Sequence, residues 1–119
     1  MQYILGDEEL LLRFRVFLEN LFCDDTLSLW LRIEHFINYF EEYTLEQQIE
    51  ILLNYYNDYM KDGSPHQLAV GFELQESWRE VVELNKRPSV HQIVKVISRT
   101  RVELSKDLHM HTYDFIRSK

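Results

Sequence analysis

Three glycines, two prolines and a single cysteine stand in 119 residues. So few chain breakers exclude the turn-dense all-β folds and favour long helices joined by short loops. Cys23 alone can form no intramolecular disulfide, so nothing here demands an oxidising compartment. No run of 18 apolar residues occurs, and MQYILGDEEL has neither the basic leader nor the apolar stretch of a signal peptide. The expectation is a cytoplasmic protein without direct membrane insertion. Gly6, Gly63 and Gly71 stand apart from one another, so there is no glycine-rich phosphate loop and no expected nucleotide or other cofactor.

Positive charge is the other shortage. Lys and Arg number 13 against 20 Asp and Glu, a net charge of -7. Up to Asp62 there are 13 acidic and four basic residues; from Gly63 onward, seven acidic and nine basic. The first half would repel a phosphate backbone and the second has no tight basic run, so nucleic acid is not an expected partner. An acidic half suits a basic protein surface, and equally suits a solvated face that keeps the domain soluble.

At 45% hydrophobic and 28% charged, the chain is composed like a folded globular protein. Its length supports one core, so residues 1–119 are expected to form one compact domain. Apolar and aromatic residues close to both ends suggest a module of a longer protein.

Helix signals follow one another along the chain. Leu10, Phe14, Phe17, Leu18 and Leu21 recur at three- and four-residue steps, giving one apolar face. After CDDT, a second helix carries Leu27, Trp30, Ile33, Ile37 and Phe40, with Leu31 and Phe36 beside them, and Asp24 and Asp25 at its positive end. Thr44 and Gln47 have capping-box spacing before a third helix with Leu45, Ile49, Leu52, Leu53, Tyr56 and Met60 inward. Gly63 suits a left-handed helix end, while Ser64 and Pro65 suit the start of a short helix through HQLAV. LQESWREVVEL follows, with Leu74, Trp78 and Val81 or Val82 on one face. Ser89 and Gln92 repeat the capping-box spacing before a long helix with Val90, Ile93, Val94, Ile97, Leu104 and Leu108 inward. HMHTYDFIRSK reads as a further short, frayed turn or helix.

Candidate chemistry dissolves on inspection. His109 and His111 face different sides of a helix and lack the remaining ligands of a zinc site, so no metal is expected. Asp24 and Asp25 would raise the pKa of a thiol at Cys23, the reverse of what a nucleophile needs. Neighbouring carboxylates such as Glu41 and Glu42 point apart on a helix and read as solvated charge. Tyrosines crowd one helix connection, suiting either core packing or a protein-binding face. The residues themselves lead to an acidic helical interaction domain with no catalytic site.

FRVFLENLFCDDTLSLWLRIEHF takes the reading further. Phe14, Phe17, Leu18, Leu29, Trp30, Glu34 and Phe36 match in order and spacing the pattern F-x-x-F-L, acidic loop, F-W-x-x-x-E-D-F. In this the chain resembles the regulator of G-protein signalling (RGS) homology domain, as a divergent member. YILGDEELLLRF is similar to that family's entry segment and YDFIRSK to its closing R-F-L-x-S. The resemblance implies an all-α bundle of about nine helices. It also implies a GTPase-activating protein, which binds the switch regions of GTP-loaded Gα and speeds the hydrolysis that Gα itself performs.

Three loops at one end would then make the contact: Cys23, Asp24, Asp25 and Thr26; the segment around Gly71 and Phe72; and the last turn with Met110, His111 and Asp114. Thr26 stands where the family usually has asparagine, and Gly71 or Phe72 where it often has the asparagine that touches the Gα switch glutamine. Met110 and His111 replace a typical Asp and Ser, and Asp114 a common basic residue. The alternative is a protein-interaction or scaffold module on the same fold that has lost acceleration. A monomer is expected, recruited to membranes, where that happens, by other domains or partners.

Overall fold

A computed structural model describes residues 8–20, 24–84 and 87–117. Within them are five α-helices and no strand: α1 (Glu8–Asn20), α2 (Asp24–Asn38), α3 (Leu45–Tyr55), α4 (Phe72–Arg79) and α5 (Val90–Arg117). A 3₁₀ turn, Phe40–Glu42, follows α2, and π-helical turns extend α3 through Tyr56–Met60 and α4 through Glu80–Leu84. The all-α class expected from the sequence holds, but the described helices number five, not about nine.

Two of the helices expected from the sequence are not separate elements, for physical reasons. HQLAV is too short, between Pro65 and Gly71, to repay the cost of nucleating a helix. The amides of His66 and Leu68 instead donate to the carbonyls of Asp58 and Tyr59, at 3.0 and 2.9 Å, making residues 61–71 an irregular strap along the π turn. Ser64 caps no helix; its buried Oγ has no hydrogen-bond partner among the described residues. At the other end, HMHTYDFIR is no separate element. No Gly or Pro interrupts it, so α5 continues unbroken for 28 residues, and Phe115 seats between Phe14 and Phe17 with ring centroids 5.4 Å from each.

The expected boundary signals elsewhere are in place. Thr44 and Gln47 form a reciprocal capping box at the start of α3, and Ser89 and Gln92 exchange the same pair of bonds at the start of α5. Gly63 has φ +79°, a left-handed conformation that side-chain-bearing residues rarely adopt.

Helices α2 and α5 form the axis on which the others pack. Phe14, Leu18, Leu27, Ile33, Phe36, Trp78, Ile93 and Leu108 are fully or almost fully buried between them. Two indoles tie α5 to its neighbours: Trp30 Nε1 donates to Ser105 Oγ at 2.9 Å, and Trp78 Nε1 to Thr100 Oγ1 at 2.8 Å. Some inward assignments were misplaced. Ile37, Leu53, Val90 and Val94 are substantially exposed, and Val96 takes the core position expected of Val94. In a run as rich in β-branched residues as VHQIVKVIS, residue type alone does not mark the inner side. Cys23 and Leu21 lie outside the described residues.

Candidate functional site

The first turn of α2, the strap and the last third of α5 converge on one face. Asp24 opens α2 in a half-buried position, followed by Asp25 and by Thr26, which is only 8% exposed. Both carboxylates lie where the unpaired N–H groups of a helix start favour negative charge. On α5, Met110 projects outward at 65% exposure, while His111 is partly buried.

Asp25, Thr26, Met110 and His111 line a single groove of about 540 Å³ whose other wall is the strap, residues 67–70. Gly71 and Phe72 are not in it. They border an adjoining groove of about 500 Å³ against Ser98, Arg99 and Val102, and Glu103 belongs to both. Gly71 is the N-cap residue of α4, with φ -60° and ψ 149°, and offers the helix no side-chain cap. Phe72 follows it at 75% exposure, a large apolar ring presented to solvent. Asp114 lies within α5, but its side chain, like Cys23, is outside the described residues.

The structure adds contributors that the sequence reading does not name, Glu103 among them. His66 Nδ1 stands 3.1 Å from Asp25 Oδ1, joining the strap to α2. Lys106 and Asp107 line the groove one helical turn before Met110 and His111. Their spacing of four residues places them on the same face of any helix that continues past Leu108. His111 Nε2 is 3.9 Å from Asp107 Oδ1, and His111 Nδ1 is buried with no hydrogen-bond partner among the described residues.

The strap wall is held by side-chain amides. Gln67 Oε1 accepts from the Gly63 N–H at 3.0 Å, while its Nε2 donates to Asp62 Oδ1 at 3.2 Å. Gln75, on α4, donates to the same carboxylate oxygen at 2.9 Å and to the Met60 carbonyl at 3.2 Å. Beneath the strap, Tyr59 Oη shares a 3.0 Å hydrogen bond with Ser28 Oγ of α2. The strap is thus tied to α4, and the π turn beneath it to α2.

Asp25, Glu103 and Asp107 outnumber Lys106 in the groove, so the face is acidic on balance with exposed apolar side chains at Phe72 and Met110. Open, shallow and mixed in polarity, such a surface suits docking of a folded partner. A larger groove of about 710 Å³, also of mixed polarity, lies between Tyr39, Phe40 and Val102, beside the Arg101–Glu34 ion pair, and shares Ser98 and Val102 with the adjoining groove. Among the described residues no helix is long and apolar enough to cross a membrane.

A family model for the regulator of G protein signaling domain matches residues 1–119. No curated protein matches the chain.

Proposed function

Since the chain belongs to the regulator of G-protein signalling domain family, we propose that it binds the switch regions of a GTP-loaded Gα subunit and accelerates the GTPase of that subunit. The observation that supports this reading is the convergence of Asp25, Thr26, Met110 and His111, from opposite ends of the chain, on one groove beside Gly71 and Phe72. In this reading the chain supplies no group to the reaction. A braced surface holds flexible switches in the arrangement that hydrolysis requires, so less ordering is left to the moment of reaction. The acidic balance of the face selects a switch surface bearing basic residues. The chain works as a monomer, in the cytoplasm, without nucleic acid and without turning over GTP itself.

A second reading rests on a specific position. Gly71 has no side chain with which to hydrogen-bond a switch glutamine, and Phe72 offers only a ring. A module that binds Gα, or another protein, without acceleration would carry this pattern. Single-turnover hydrolysis of GTP by Gα, with and without the chain, separates the two. Acceleration by the native chain supports the first reading. If acceleration appears only in Gly71→Asn or Phe72→Asn, the second stands. Gly71→Asn is a clean probe, because no atom lies within 4 Å of the added Cβ and the backbone is in an ordinary extended conformation.

A further inference from the structure

The Asp25 carboxylate meets the imidazole of His66, a residue 41 positions along the chain on a different element. His66 is placed by its own backbone amide, which donates to the Asp58 carbonyl at 3.0 Å, and its ring stands 6.1 Å from that of Tyr59. On the same tyrosine ring lies the Arg32 guanidinium of α2, 5.7 Å from the centroid, and Arg32 Nη1 is 3.9 Å from Asp58 Oδ2. A continuous chain of contacts therefore runs from the first turn of α2, through His66 and Tyr59, back to the middle of α2. The strap is clasped to α2 inside this loop, and immediately beyond His66 it becomes the groove wall, residues 67–70.

From this geometry we propose that His66 is a positioning residue for the docking face: by holding Asp25 it fixes the strap wall against the first turn of α2, so that both present as one preformed surface. The contact lies at the surface, with side chains 56% and 36% exposed, so its contribution to global stability is small. Its contribution to the face is local. Without it, the strap keeps its backbone bonds to the π turn but loses its side-chain tie to α2, and the groove wall opens more often than the domain unfolds. The consequence for Gα affinity rests on the function proposed above; the mechanical role does not.

The test is native-state amide exchange at Leu68, whose N–H bonds to the Tyr59 carbonyl. Wild type, His66→Ala, Asp25→Ala, the double variant and His66→Asn would be compared, with thermal unfolding as a check on folding. His66→Asn restores an N–H at the position of Nδ1. Each of the two single variants that break the pair is expected to speed exchange about threefold, and the double variant no further, because both remove the same contact. His66→Asn is expected to return exchange close to wild type. Unchanged exchange in His66→Ala, additive effects in the double variant, or no recovery with asparagine would overturn the proposal. Affinity for Gα loaded with GDP and aluminium fluoride is expected to fall in parallel, about threefold, in His66→Ala. If exchange behaves as expected while the wild-type chain binds no Gα, the positioning role stands and the partner assignment fails.

Discussion

Thr100 accepts the Trp78 indole N–H while its own hydroxyl donates to the Val96 carbonyl at 2.7 Å, all in a fully buried site. Replacing Thr100 by valine keeps the volume but strands the indole donor in the core. The expected cost is about 1–3 kcal/mol of stability, measurable as a lower urea midpoint with an unchanged slope. Tyr55 supplies a second prediction. Burial, outweighing the Arg32 guanidinium that opposes it, pushes the phenol up to about 12. Tyr56 is shifted the same way, by burial first and then by its hydrogen bond to Glu83. An unfolded tyrosine ionises near the ordinary value of 10.0, below the folded one. Below that value the stabilisation is complete; as pH rises through the interval to about 12, the unfolded chain loses its proton first and stability falls. Urea midpoints are expected to stay level below about pH 10 and then decline, with a shallower decline in Tyr55→Phe. A level profile across the interval would contradict the burial argument. Residue-scale reading was least secure where a type has two uses. Thr26 reads as a contact residue yet is nearly buried, while His66 reads as the start of a short helix yet lies in the strap and meets Asp25.

At the scale of elements, punctuation was more legible than continuity. Both capping boxes and the left-handed Gly63 are written in residues whose local chemistry leaves few options. Thr44→Ala and Ser89→Ala are each expected to lose about 1 kcal/mol, read from thermal unfolding, because each strands a backbone donor at a helix start. Continuity depends on what lies opposite. Whether α5 ends near Leu108 or runs to Arg117 is decided by Phe14 and Phe17 receiving Phe115, a contact nearly a hundred residues away in sequence. The strap likewise follows π-turn carbonyls that only the folded α3 exposes. Gly71→Asn should act at this scale as well. As an N-cap, asparagine is expected to add a few tenths of a kcal/mol to α4, so a gain in GTPase acceleration must be judged against that small gain in stability.

For the molecule as a whole, the helical class, the acidic balance and the family were legible, because they rest on composition and on spaced residues such as Phe14, Phe17, Leu18, Trp30 and Glu34. Phe14, Leu18 and Trp30 are buried core residues, so the motif that identifies the family is chiefly a packing motif. The most direct test of the proposed function is binding to a panel of Gα subunits, each loaded with GDP alone and with GDP plus aluminium fluoride, which mimics the transferring phosphoryl group. The account predicts that at least one subunit binds the folded chain selectively in its fluoride-loaded form. Absence of binding to every subunit in both states, with the domain shown to be folded, would contradict it.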